Sequence, residues 1–173
     1  MKNFFNGMLF IFLNFRLNIG EHSIGLIPAF VGYYFVFKGI ESFNGEVPAF
    51  EKIKQLSKIM IVVFAAIYIV DLLAINLGFI YAILGIACLA VNLYVSFQIT
   101  EGVLYLERTR DIYLEGVDLR EKWKVFSIMI CAVTVLTFVP IINFIALIAH
   151  IACIIMFLVA FNRTKNRGMY LGL

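Results

Sequence analysis

Charged positions divide this chain into long apolar runs. Residues 3–15 and 23–37 form a first pair of runs. Residues 59–99 form a second stretch, broken only by Asp71, and residues 125–162 a third with no Lys, Arg, Asp or Glu. The second and third stretches are each about twice the roughly 20 residues that one helical membrane span needs. Each must therefore fold back on itself, and each offers a turn: "AINLGF" with Asn76 and Gly78, and "FVPIINF" with Pro140 and Asn143. The pattern predicts an all-α, integral membrane helical bundle in a single domain. Its six transmembrane helices, at 4–19, 24–39, 59–75, 78–99, 125–139 and 141–161, form three helical hairpins. Backbone groups in hydrocarbon must be satisfied internally, and the alternating signature of a barrel is absent, so the spans are helices.

The connectors have patterns of their own. In "PAFEKIKQLSKIM" (residues 48–60) Phe50, Ile53 and Leu56 recur every three residues with lysines between. This is an amphipathic helix lying at the interface or a cytoplasmic extension of the third span. In residues 100–124, Glu107, Asp111 and Glu115 recur every four, as on a solvated helix face. "DLRE" (Asp118 to Glu121) has capping-box spacing, and Trp123 between Lys122 and Lys124 suits an interfacial anchor at the start of the fifth span.

Composition agrees with the pattern. Hydrophobic residues make up 63% of the 173 and charged residues 14%, against about 45–50% and about 25% in soluble domains. A soluble domain of this size could not bury that much apolar surface. The net charge of +3 does not indicate nucleic acid, because the basic residues sit in short clusters between apolar runs. Those clusters set an orientation. With both termini and both long connectors cytoplasmic, one side collects Lys2, Lys38, Lys52, Lys54, Lys58, Arg108, Arg110, Arg120, Lys122, Lys124, Arg163, Lys165 and Arg167, and the other keeps Arg16 alone. The expected location is the plasma membrane, multi-pass. The N-terminal "MKNFFNGMLFIFLNF" begins like a signal peptide but lacks a small-x-small cleavage site, and is expected to be retained.

Small residues predict where helices meet. Gly25, Gly32 and Gly39 recur every seven residues, and Ala29 joins their stripe. Two turns separate each pair, so one face of the second span is small along its length and admits another backbone closely. The partner is a helix of the same chain or a second copy, as a homo-oligomer through Gly25, Ala29, Gly32 and Gly39. A shift of 65 residues also matches Phe79, Ile80, Ile83, Ile86, Ala87, Cys88 and Leu93 with Phe144, Ile145, Ile148, Ile151, Ala152, Cys153 and Leu158, the trace of a duplicated span.

Ionisable residues at membrane depth are costly and point to function. Asp71 lies about one turn from the outer end of the third span. The stretch "NFRLNIGEHSIG" supplies Asn14, Arg16, Asn18, Glu21 and His22 at the outer tip of the first hairpin. Arg16, Glu21, His22 and Asp71, with Asn14 and Asn18 beside them, form the candidate ligand-binding cluster. The alternative is that Arg16 pairs with a carboxylate and merely satisfies the tip. His150 shares a depth with Cys131, and Cys88 and Cys153 lie close to it. The layer is read as packing rather than a metal site, so no metal or cofactor is assigned. The three cysteines show neither CxxC spacing nor a disulfide framework. No P-loop, H-E-x-x-H, G-x-S-x-G or dinucleotide motif appears, and no catalytic residue is assigned.

The segment "NFRLNIGEHSIGLIPAFVGYYFVFKGI" resembles the opening of a group of small uncharacterised multi-spanning membrane proteins of Gram-positive bacteria. The residues that carry the likeness are Arg16, Asn18, Ile27, Pro28, Phe30, Val31, Gly32 and Tyr33. Ala29 and the "GEHS" turn depart from it. The likeness implies a bacterial plasma membrane and no activity. The expected function is binding or transport of a small solute or ion, alone or as the membrane subunit of a complex. The alternative is a non-transporting accessory, sensory or immunity-type protein that meets a membrane or cytoplasmic partner through its connectors.

Overall fold

The computed structural model describes residues 1–13, 16–19, 22–25, 28–73, 75, 78–136 and 140–173, without the side chains of 16–19, 22–25, 135–136 and 140–147. Six helices occupy most of the chain: α1 (Lys2–Phe12), α2 (Ala29–Glu41), α3 (Pro48–Leu72), α4 (Phe79–Arg110), α5 (Gly116–Leu136) and α6 (Pro140–Tyr170). A two-stranded antiparallel ribbon, β1 (Arg16–Ile19) and β2 (His22–Gly25), separates α1 from α2, with Ile19 opposite His22 and Arg16 opposite Gly25.

Among the described residues three helices are long and apolar enough to cross a membrane: α3, α4 and the Ile148–Tyr170 part of α6. The six helical spans expected from the sequence are therefore supported in three places. The first two differ most. α1 has 11 residues and α2 has 13, about 16 and 20 Å at 1.5 Å per residue, against a hydrocarbon core of about 30 Å. The helix expected to run to residue 19 ends at Phe12, and the residues expected to resume it at 24 belong to β2.

The chain forms two compact units, Lys2–Ile99 and Thr100–Leu173 with Met1. In the first, α1 and α2 run antiparallel along the small-residue stripe. Gly7 of α1 crosses Gly32 of α2, Phe10 meets Phe35 with centroids 5.7 Å apart, and Gly39 lies against the Phe4 ring. Ala29, Gly32 and Gly39 are all buried, so α1 of the same chain covers the part of the stripe they form. Phe4 is fully buried and packs on Phe50 at 4.6 Å and Phe43 at 6.0 Å. α3 then returns along α2: Lys58 sits over the Phe37 ring, Phe64 stacks on Tyr33 and Tyr68 meets Phe30. The turn between them places Asn44 and Gly45 at positive φ, 46° and 81°, where asparagine and glycine are the residues with least strain. Pro48 opens α3, where a missing N–H costs nothing. The amphipathic 48–60 segment is thus continuous with the apolar part of α3 and not a separate helix.

In the second unit, Phe126 of α5 stacks face to face on Phe157 of α6 at 5.0 Å, and Phe161 packs edge-on below. The start of α5 is held by a residue from another helix. Glu107 Oε1 accepts the N–H of Leu114 at 2.6 Å and of Gly116 at 3.0 Å. Asp118 lies inside the first turn of α5, so it does not take the N-cap position its spacing suggested. The acidic repeat is also not one helix face. α4 ends at Arg110, and Asp111 and Glu115 both adopt positive φ. Glu115 pairs with Arg167, whose guanidinium lies 4.7 Å over the Tyr113 ring. Arg120 Nε approaches Glu101 Oε1 at 3.0 Å, an ion pair without an aligned hydrogen bond. The Met1 amine donates to the Leu173 carbonyl at 3.4 Å, and burial lowers its pKa below the usual range.

Candidate functional site

Two of the helices long and apolar enough to cross a membrane, α3 and α4, are little buried within the protein. Only 17% of the most apolar window of α3, and of α4, is inside the protein. Ile59, Val62 and Ile69 of α3 and Phe79, Ile80, Ile83 and Ile86 of α4 are exposed. An apolar surface on this scale suits lipid and not water. Two of the pairs that matched under the 65-residue shift share this property: Ile83 and Ile148 are 55% and 56% exposed, and Ile86 and Ile151 are 61% and 48%, whereas Cys88 and Leu158 are buried. A common apolar exterior accounts for those identities as well as duplication does.

Between α3 and α4 lies a half-open cleft of about 60 Å³, lined by Phe64, Ile67, Tyr81, Leu84, Gly85 and Cys88. Phe64 and Ile67 come from α3, and Tyr81, Leu84, Gly85 and Cys88 from α4. A side chain added at Gly85 would meet nothing within 4 Å, so the missing Cβ contributes to the opening. At the end of the cleft near the α3–α4 turn Tyr81 donates its hydroxyl to Asp71 Oδ2 at 3.4 Å, a long bond by ordinary standards. Asp71 is half-buried, in the last turn of α3. Toward the other end Tyr33, fully buried and stacked on Phe64, donates to Asn92 Oδ1 at 2.6 Å. The cleft thus lies between two polar pairs, Asp71–Tyr81 and Tyr33–Asn92.

Of the six candidate residues read from the sequence, Asp71 is described in full. Arg16 and Asn18 fall on β1 and His22 on β2, with their side chains outside the described residues; Asn14 and Glu21 lie outside them altogether. The backbone does bring the ribbon to α3, since β2 packs on that helix. Tyr81, Gly85, Phe64 and Cys88 were not singled out as site residues. The usable signal was the position of Tyr81, a polar aromatic ten residues beyond Asp71 across a predicted turn. His150 Nδ1 finds no hydrogen-bond partner among the described residues, and Cys88, Cys131 and Cys153 range from buried to exposed. No group of three His, Cys, Asp or Glu among the described residues could hold a metal ion.

No family model, no curated protein and no solved structure matches this chain.

Proposed function

We propose that this protein is a multi-pass membrane protein that binds or moves a small solute or ion at the outer end of α3 and α4. The observation that carries the reading is the cleft between these two helices with the Asp71–Tyr81 pair at its end. A carboxylate beside an apolar opening in a lipid-facing helix pair is costly to keep, and such groups mark solute and ion paths. Arg16, Asn18, Glu21 and His22 complete the outer polar region in this reading, because β2 packs on the helix that bears Asp71.

The topology follows the charge asymmetry, with both termini and the 40–58 and 100–124 connectors cytoplasmic. Contact between Met1 and Leu173 supports placing the two chain ends on one side. The first pair of crossings is composite. The 11 residues of α1 followed by the 4 of β1, laid end to end, reach about 30 Å at 1.5 Å per helical and 3.3 Å per strand residue. β2 followed by α2 reaches about as far, so six crossings are feasible in length; the ribbon's unpaired edges then face protein or interfacial water and not lipid, as where β2 packs on α3.

Reconstitution into liposomes tests the function. Flux of small solutes, or a rise in melting temperature on adding one, should be lost in Asp71→Asn and in Gly85→Leu. If both variants retain the wild-type response, the site is wrong.

A second reading, an accessory protein acting through its cytoplasmic face, has one observation in its favour. Tyr113, Val117, Met169 and Tyr170 are exposed in the Thr100–Leu173 unit, outside the most apolar segments. Crosslinking from a residue placed at Val117 that captures one defined partner, with the Asp71→Asn and Gly85→Leu variants silent in every flux assay, would favour it.

A further inference from the structure

The cleft narrows the class of solute by how it is reached and by what lines it. Its floor is buried: Cys88 is 8% exposed, and Phe64 is backed by the fully buried Tyr33, stacked on it at 5.5 Å. Gly85, another lining residue, is exposed, and a Cβ there would meet nothing within 4 Å. Ile83 and Ile86, beside it on α4, are exposed too. The mouth of the cleft therefore opens on the apolar exterior of the helix pair. A molecule reaches it through hydrocarbon rather than through water.

The lining offers a ligand little to bond with. Phe64, Ile67 and Leu84 have no polar side-chain atom, Gly85 has no side chain, and the thiol of Cys88 is a weak donor. The single hydroxyl, on Tyr81, has one proton, and it is directed to Asp71. Tyr81 and Asp71 each have further interactions as well, so the pair is engaged within the protein. The Tyr33 hydroxyl behind the floor is likewise taken, by Asn92 at 2.6 Å.

Three solute classes differ on these two counts. An ion of either sign would shed its water to cross hydrocarbon and would find no charged side chain in the lining. A solute rich in hydroxyls or amides would leave those groups without partners on entry. An alkyl group enters from lipid with nothing to desolvate and gains close contact with aromatic and aliphatic carbon. Size agrees. At about 10–15 Å³ for one water-sized position, a cleft of about 60 Å³ takes about four to six heavy atoms. That is a whole small molecule, but only a short piece of a lipid chain.

We propose that the cleft between α3 and α4 binds a small uncharged alkyl compound dissolved in the bilayer, which enters sideways past Gly85 and seats its alkyl group on Phe64, Ile67 and Leu84. This rests on reading the cleft as the solute site.

The test uses the full-length protein in phosphatidylcholine vesicles. The probe is 3-ethyl-3-methyldiazirine, an uncharged alkyl compound whose size matches the cleft. Light converts it to a carbene that inserts into the side chains around it, and mass spectrometry maps the labelled residues. Labelling at Phe64, Ile67, Leu84 and Cys88 should saturate with probe concentration. Labelling at the exposed Ile59 and Phe79 should rise in proportion to it. Tert-butyl methyl ether, uncharged and of like size, should lower the saturable part at least fivefold. Tetramethylammonium and trimethylacetate, similar in shape and opposite in charge, should leave it unchanged at tenfold higher concentration. Gly85→Leu should remove the saturable part and spare the labelling at Ile59 and Phe79. Saturable labelling that survives Gly85→Leu places the binding elsewhere and overturns the proposal. Displacement by either ion as readily as by the ether, measured on the unsubstituted protein, overturns the uncharged class and leaves the solute site standing. Labelling in the cleft that rises without saturation overturns the solute site too, and leaves the cleft to lipid chains.

Discussion

Gly7 and Gly32 cross with backbone against backbone. A Cβ on Gly7 would lie 2.9 Å from the Gly32 carbonyl oxygen, and a Cβ on Gly32 would lie 2.9 Å from the Gly7 carbonyl oxygen. Neither obstacle is the flexible end of a side chain, so neither can swing aside. Gly7→Val and Gly32→Val should each lower the melting temperature in detergent, by the about 1–3 kcal/mol that overpacking a close contact costs. Gly85→Ala, where the new methyl meets nothing within 4 Å, should leave it unchanged. Equal effects at all three positions would show that the α1–α2 crossing is looser than described.

Tyr33 and Asn92 make a second test. Tyr33→Phe removes the donor and leaves the Asn92 carbonyl inside the protein without it. Hydrogen bonds between membrane helices average about 0.6 kcal/mol and reach about 1.7, and the loss should fall in that range. Replacing both, Tyr33→Phe with Asn92→Leu, should cost less than the sum of the two single changes, because the orphaned partner is gone. Additive losses would mean that the pair is not coupled.

Glu107 caps α5 from a different helix. Glu107→Ala should leave the Leu114 and Gly116 amides exchanging hydrogen faster, with a stability loss of about 1 kcal/mol, in the range of other cap deletions. Glu107→Gln keeps one acceptor and should lose less. Unchanged exchange at both amides in Glu107→Ala would remove the carboxylate from this role.

Orientation is checked by single cysteines in a background free of Cys88, Cys131 and Cys153. An impermeant thiol reagent outside cells should label cysteines placed at Ser23 and Asn76 and spare those at Glu46 and Glu115. Labelling at 46 or 115 would reverse the topology. Silence at Ser23 with labelling at Asn76 would mean that the ribbon does not reach the outer surface.

The parts of the fold that were legible are those set by long-range periodicity. The seven-residue spacing of Gly25, Gly32 and Gly39 marked the face where helices meet, and Gly32 and Gly39 do receive α1. The apolarity of 59–99, broken only by Asp71, gave two long helices, because nothing else satisfies a backbone over that length. What was missed depends on a few residues of local geometry. "RLNI" alternates polar and apolar over four positions, with Gly20 following it, a pattern that fits a short hairpin, while "HSIG" does not alternate. Four positions are too few to separate a period of 2.0 from one of 3.6. The acidic repeat misled because a spacing of four is satisfied equally by a helix face and by residues on both sides of a turn. Only the positive φ of Asp111 and Glu115 tells them apart, and neither residue announces that conformation as a glycine would. The cleft was illegible for a different reason. It depends on which turn of α3 stands level with which turn of α4, a register that composition does not contain. Asp71 could be singled out because a lone carboxylate in an apolar run stands out, whereas Tyr81 and Gly85 look like ordinary membrane residues until Asp71 is placed beside them.

Helix α3 runs unbroken from Pro48 to Leu72, with no internal proline or glycine at which a sharp bend usually forms. Its first turns carry Lys52, Lys54 and Lys58 and its last turn carries Asp71. A shaft without a joint conveys rotation along its whole length. Whatever grips the lysine-bearing end and twists it turns the Asp71 carboxylate through a comparable angle about the same axis, some 20 to 30 Å away at 1.5 Å per residue. The two ends of α3 are therefore mechanically one part, and a torque applied at one is felt at the other without any messenger between them.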